Sequence, residues 1–416
     1  MSDVLMVWIE GDQVARLWVD QSDWSFAYQQ SWLESAKVYA ISPHLPLTSC
    51  THVDDGEKRT VRWFFDNLLP EGGVREALAA HARLDASNSF ALLHRFGEES
   101  AGALTLLPEG QRFSSIGSYE PLTRDALRQL VLDLPHVPLL AAGGRAHMSL
   151  AGAQHKLGLH RNNEGFCLPN QAASSLVVKP DNAQPLLFPC CPANEYFCMT
   201  LAQMVGLSVP QSELLHLPEP LFCVQRYDRC VGGGKVTRLH QIDLCQLLNI
   251  WAGYKYEEDG GPSLRQAYGA LNQTRQPAVS RNQWLRWLIF NYVIGNSDAH
   301  AKNISFLVSS AGISLAPAYD LLSVAVYGDD YDYMAMTIAE EVRYGWISED
   351  QWAAMAAAFN ISAGFIKRLR KELGHTIPSA ARKLLGSPVF TEQERVFLEG
   401  VLRVIERHAE YLLCGC

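Results

Sequence analysis

Residues 284–320, WLRWLIFNYVIGNSDAHAKNISFLVSSAGISLAPAYD, decide how the whole chain is read. The opening run, 284–294, is apolar with neighbours at helical spacing and too long for a strand, so it predicts a buried helix stopped near Gly295. Polar, turn-forming residues follow. Two short apolar, β-branched runs come next, 304–308 and 313–316, and the small residues 309–312 between them predict a hairpin. Its second strand leads into Asp320.

Between helix and hairpin, Asp298 and Asn303 stand in the pattern D-x-x-x-x-N, the spacing found in protein-kinase catalytic loops. Phosphoryl transfer asks little covalent chemistry of a protein. It needs a carboxylate to orient the attacking hydroxyl and oxygen ligands to hold magnesium on the phosphates. Asp298 fits the first role, and Asn303 with Asp320 the second, because magnesium keeps water and phosphate oxygens in most of its positions. The spacing alone is common, and Asn-Ser-Asp-Ala-His also reads as a surface turn with an Asx cap.

Upstream segments supply candidate partners. A β-branched run, LVVKP, ends in Lys179, as does the strand that carries a kinase's phosphate-pairing lysine. Asn194-Glu195-Tyr196 opens a predicted helix to about Val205, where Glu195 either favours the helix dipole or holds Lys179. SLAGAQHKLGL, 149–159, has one glycine among small residues, which suits a loop over phosphates or a plain turn into a strand. LFCVQRY, 221–227, predicts a strand whose end could offer backbone groups to adenine. The glycines 232–234 read as a hairpin tip, and 238–250 as a helix holding His240, Gln241 and Asp243 as core and cap residues. The acidic turn YEEDGGP, 256–262, suggests no chemical role.

Composition bounds the rest. The chain has 416 residues, 48% hydrophobic and 19% charged, enough for two or three domains or one bilobal unit. A net charge of -9 argues against gripping nucleic acid unaided, with only 367–383 offering a local basic face. The ten cysteines include no C-x-x-C pair, so reduced thiols are expected rather than a disulfide framework or structural zinc. Neither a signal peptide nor a membrane-length apolar run is visible, which predicts a soluble, cytoplasmic protein. Residues 1–110 predict a small α+β domain: a hairpin about Gly11-Asp12, strands at 24–28 and 37–41, helices at 73–83 and 87–96, and a closing strand at 100–107. Residues 111–230, with a helix near 123–133, form the expected nucleotide-binding lobe. Residues 231–416 form a helical lobe, with further helices near 348–358, 362–373 and 391–412.

Taken in order, SLAGAQHK, VVKP, NEY, VQRYDR, LHQIDLCQLL, YEEDGGP, IGNSDAHAKN and AYD, with the N-terminal FFDNLLPEG and SAGALTL, resemble the HipA family of bacterial serine/threonine kinases over essentially the whole chain. The resemblance implies an α+β, bilobal, protein-kinase-like fold with a small N-terminal subdomain and a mostly helical C-terminal lobe. It implies ATP and magnesium as cofactors. It also implies the toxin half of a type II toxin–antitoxin pair, phosphorylating a serine on a translation-related protein such as an aminoacyl-tRNA synthetase and so favouring growth arrest and persistence. The partner would be a HipB-like helix-turn-helix antitoxin that binds operator DNA.

Carried over by motif, Asp298 would be catalytic, Asn303 and Asp320 would bind the metal, and Lys179, supported by Glu195, would pair the phosphates. Ala151, Gly152, Ala153, Gln154, His155 and Lys156 would cover the phosphates, and Gln225, Arg226 and Tyr227 would meet adenine. His300, Ala301, Lys302 and Tyr319 would lie beside the nucleotide. Ser149 matches the autophosphorylated serine, whose added charge would expel the loop. Two positions depart from some members: His155 and Ile242 each stand where those carry Glu. A small-molecule kinase of the same fold, and a degenerate kinase acting as co-repressor with a DNA-binding partner, remain the alternatives.

Overall fold

A computed structural model describes residues 4–113, 117–134, 155–182 and 184–414. The N-terminal domain is built on β1 (Val4–Ile9), β2 (Asp12–Asp20), β3 (Asp23–Tyr28), β4 (His52–Val53) and β5 (Leu104–Pro108), in the order β4-β3-β2-β1-β5. Ile9 pairs with Asp12, so the first hairpin turns through Glu10-Gly11, and Gly11 takes the φ of +92° that the tight turn requires. The helices Thr60–Asp66, Gly72–Ala82 and Ser89–Phe96 complete the domain, placing Phe64, Phe65, Leu92 and Phe96 against buried strand residues such as Leu17 and Phe26. Residues 37–41, expected as a strand, are irregular. Side chains tie them down instead: Trp32 donates to the Tyr39 carbonyl at 3.2 Å and the Ile41 N–H donates to the Tyr28 hydroxyl at 3.0 Å.

A second sheet contains β6 (Ser118–Pro121), β7 (Leu157–Asn162), β8 (Gly165–Asn170), β9 (Leu176–Pro180), β10 (Ser212–His216) and β11 (Pro220–Gln225), in the order β10-β11-β9-β7-β8-β6. Leu127 and Val131 of the helix Arg124–Asp133 close a small core on Leu157, Leu159, Val178 and Leu221. The helix Cys191–Met204 packs on β10 and β11 and presents Glu195 toward β9.

The single helix expected over 238–250 is absent. β12 (Arg229–Gly232) and β13 (Lys235–Arg238) form a hairpin whose tip places Gly233 and Gly234 at φ of +58° and +75°. β14 (Gln241–Asp243) then pairs with β15 (Ser305–Ser309), and only Leu244–Leu248 is helical, started by an Asp243–Gln246 capping box and ended by left-handed Asn249. A distant strand captures residues that local pattern assigns to a helix.

The helix Pro277–Ile294 runs through the core of the C-terminal lobe, beginning with Pro at its first position and burying Trp284, Leu285, Trp287, Leu288, Phe290 and Tyr292. It starts before the apolar run, its first two turns carrying exposed Val279 and buried Ser280. Gly295 ends it at φ +67°, and a Cβ there would lie 2.8 Å from Ala325 Cβ. β15 and β16 (Gly312–Leu315) turn through Ser310-Ala311. The helices Glu349–Ala358, Ala363–Leu385 and Glu392–Leu413 pack behind. The second continues well past the expected 373, through Pro378, because Leu373, Ile377, Ala381 and Leu384 keep a buried stripe. Among the described residues no helix is long and apolar enough to cross a membrane.

Candidate functional site

The catalytic-loop candidate is shaped by Asn296. Its Nδ2 donates to Asn291 Oδ1 at 2.8 Å and to the Asp320 carbonyl at 3.4 Å, while its Oδ1 accepts from the Asp298 N–H at 3.1 Å. The Asx-type turn is therefore present, and it ties the backbones of both candidate aspartates to the end of the buried helix. Asn303 Nδ2 donates to the Asp298 carbonyl at 2.7 Å, which leaves its Oδ1 as the atom able to meet a cation.

Lys179 is pinned from two sides, its Nζ 2.7 Å from Glu195 Oε1 and 2.5 Å from Asp320 Oδ1, with its side chain 8% exposed. Burial acts to lower this lysine, but Asp320 and Glu195 outweigh it and hold it above its ordinary value, so it stays cationic. Burial likewise acts to raise Asp320, yet Lys179 and then Lys156 keep it well below the usual carboxylate range. Glu195 is pushed up by burial, against the pull of Lys179. Lys156 is lowered to about 8, by burial first and the Lys179 charge second. Asp320 adopts a left-handed φ of +57°, an uncommon conformation for a residue with a side chain.

These groups line one cavity of about 690 Å³ that also receives Gln225, Tyr227, Asp298, His300, Lys302, Asn303 and Tyr319. Tyr227 and Tyr319 stack with centroids 5.2 Å apart, and Tyr319 donates to the Lys302 carbonyl at 2.6 Å. Ala301 is fully buried and is not among the cavity's walls. Ser149, Ala151, Gly152, Ala153 and Gln154 lie outside the described residues; His155 is half-buried at their edge. Arg226 reaches the wall, but its guanidinium is committed elsewhere, to Asp228 (2.7 and 2.9 Å), Glu99 (3.1 Å) and the Ser174 hydroxyl (2.9 Å). Glu99 also accepts from Arg229 at 3.0 Å and from Arg238, so a buried ionic knot joins the N-terminal domain to the strand end expected to meet adenine.

Four residues escaped the sequence reading. In sequence, Asn296 reads only as a turn former. Glu71, from FFDNLLPEG, stands at the cavity and bridges Lys255 (2.8 Å) and Lys302 (2.5 Å); these lysines overcome its burial and hold it at about 2. Tyr256 and Lys255 come from the start of the acidic turn. Tyr256 donates a hydrogen bond to Asp298, and the turn closes so tightly that a Cβ on Gly261 would sit 2.1 Å from the Tyr254 carbonyl oxygen. The ordered Lys-Tyr-Glu-Glu-Asp-Gly-Gly run was the available signal.

Two oxygen donors suited to a hard cation, the Asn303 amide and the ionised Asp320 carboxylate, thus border the same space as a fixed ammonium and a carboxylate with open access. A magnesium ion fits this donor set, which supplies few protein ligands and leaves the rest to water and phosphate. The arrangement can hold a polyphosphate and orient a hydroxyl against it.

A family model described as the HipA-like C-terminal domain matches residues 148–381, and one described as the HipA N-terminal domain matches residues 5–107. The chain is 35% identical over 392 residues to the protein Y4mE of Sinorhizobium fredii, named as a candidate kinase, covering 92% of each. It is 29% identical over 387 residues to the serine/threonine-protein kinase toxin HipA of Shewanella oneidensis, covering 89% of this chain and 86% of that one. The solved complex of HipA, HipB and operator DNA from Shewanella oneidensis contains a chain that superposes with a TM-score of 0.83 at 25% identity, covering 98% of this chain and 96% of the other.

Proposed function

Because the chain belongs to the HipA family of serine/threonine kinases, we propose that it transfers the γ-phosphoryl group of ATP to a serine of a translation-related protein, such as an aminoacyl-tRNA synthetase. In this reading it is the toxin of a cytosolic toxin–antitoxin pair, restrained by a HipB-like helix-turn-helix partner that carries the operator-DNA contacts. The observation that carries it is Lys179 held between Glu195 and Asp320, in the same cavity as Asp298 and Asn303.

Lys179 pairs with the phosphates, and Glu195 keeps its ammonium aimed at them. Asp298 orients the acceptor hydroxyl. Asn303 and Asp320 would hold magnesium, which when bound neutralises charge on the β- and γ-phosphate oxygens. The Tyr227–Tyr319 stack gives the base a flat wall. Ser149, outside the described residues, is the proposed site of autophosphorylation, where nearly two added negative charges would displace the phosphate loop.

Incubation of the purified chain with γ-labelled ATP, magnesium and a cell lysate tests the activity. Label in protein, lost with Asp298→Ala, is expected; label confined to low-mass products would make it a small-molecule kinase instead. Phosphoproteomics of cells expressing wild-type and Asp298→Ala chains then names the target. Autophosphorylation and growth inhibition that both survive Asp320→Ala would remove the kinase reading.

A further inference from the structure

We propose that Tyr256 is a positioning residue for the phosphoryl-transfer reaction: its phenol holds one oxygen of Asp298, so that the other faces the acceptor serine. The inference rests on the kinase reading above and extends it to a side chain of the acidic turn.

Tyr256 donates to Asp298 Oδ1, and His300 Nε2 stands 3.8 Å from that same oxygen. Asp298 Oδ2 has no hydrogen-bond partner among the described residues, and the side chain is 44% exposed. One oxygen is thus fixed and its twin open. A carboxylate on a loop turns about two side-chain torsions, and a single donor on one oxygen removes most of that freedom.

The tyrosine itself is braced on several sides. Its carbonyl accepts from Gly261 N–H at 2.9 Å, and the preceding Lys255 carbonyl accepts from the catalytic-loop Ala301 N–H at 3.1 Å. Its ring meets the His300 ring edge-on at 5.0 Å, and Lys255, anchored on Glu71 at 2.8 Å, lies 5.3 Å over its centroid. Burial raises the phenol's pKa, so at neutral pH it remains the donor.

In the reaction, the serine Oγ–phosphorus bond forms as the phosphorus–oxygen bond to the β-phosphate breaks. ADP departs, and the serine proton passes to Asp298 Oδ2. Tyr256 exchanges no atoms; it fixes where that acceptor oxygen points.

The test uses the full chain, γ-labelled ATP and a lysate as acceptor. Tyr256→Phe keeps the ring packed on His300 and Lys255 and removes only the hydroxyl. We expect kcat for protein labelling to fall about tenfold, a fraction of the 10²–10⁴ that a positioned base contributes, with KM for ATP and the melting temperature unchanged. Tyr256→Ala, which also frees the ring's space, should fall further at the same KM for ATP. Labelling by Tyr256→Phe at or above the wild-type rate overturns the proposal alone, because the phenol would then be a spectator or an occupant of the acceptor's place. Labelling that survives Asp298→Ala overturns the kinase assignment of Asp298 and the proposal with it.

Discussion

Glu99→Gln should loosen the seam between the N-terminal domain and the kinase core. Glu99 is 6% exposed and accepts from Arg226 (3.1 Å), Arg229 (3.0 Å), Arg238 and the Ser174 hydroxyl (2.8 Å). The substitution leaves three buried guanidinium groups with Asp228 as the remaining carboxylate of the knot, and it turns an amide N–H toward cations. Breaking one member of a buried ionic network costs about 3–5 kcal/mol. A second route gives a similar figure. Burial acts to raise Glu99, but the arginines hold it at about 2 against an ordinary 4.5, which corresponds to about 3 kcal/mol of folding free energy.

The sign follows from the folded value lying below the unfolded one. This stability is complete above pH 4.5 and is lost as pH falls through that value toward 2. Guanidinium unfolding, followed by circular dichroism and tryptophan fluorescence, should show a lower midpoint for Glu99→Gln at neutral pH. The variant should also be less acid-sensitive than wild type below pH 4.5. A midpoint change worth less than about 1 kcal/mol, within the range of an ordinary surface pair, would refute the role assigned to the knot.

Asp320→Asn should reduce protein labelling by about 10²-fold or more, since it removes a charge facing the transferring group, and should weaken the melting-temperature rise produced by magnesium-ATP. Gly295→Ala combines a left-handed backbone, costing about 1–2 kcal/mol, with overpacking against Ala325, costing about 1–3 kcal/mol; a chemical-denaturation midpoint lowered by at least the smaller sum is expected. His240 is buried and its Nε2–H donates to the Ile41 carbonyl at 2.8 Å, and burial pushes its pKa down to about 4. Its unfolded form takes up a proton below pH 6.5 while the folded form does not, so stability declines from pH 6.5 to 4, and His240→Gln should make that part of the stability profile flatter.

What the sequence disclosed was local. The apolar run into Gly295, the β-branched stretch carrying Lys179 and the two-strand return to Asp320 each follow from periodicity and turn chemistry within a few residues. Residues 238–250 misled because β14 exists only through its pairing of Ile242 with Phe306. Residues 37–41 misled because β-branched and aromatic composition was satisfied by side-chain hydrogen bonds rather than a ladder. Arg226 illustrates the same limit at the site. Its motif suggests the nucleotide, whereas its guanidinium serves Glu99, 127 residues away. Glu71 and Lys255 are 184 residues apart, and Tyr256 and Asp298 are 42 apart. No window of local pattern spans such distances, so these partners emerge only when the chain is folded.

The bridge from Glu71 to Lys255 and Lys302 makes the first hundred residues a structural subunit of the proposed catalytic loop. Removing that domain altogether would strand two ammonium groups beside the proposed reaction centre and uncover the three arginines gathered on Glu99. A shortened kinase lacking that domain would inherit every motif of the phosphate site and still lack the anions that hold its floor in place.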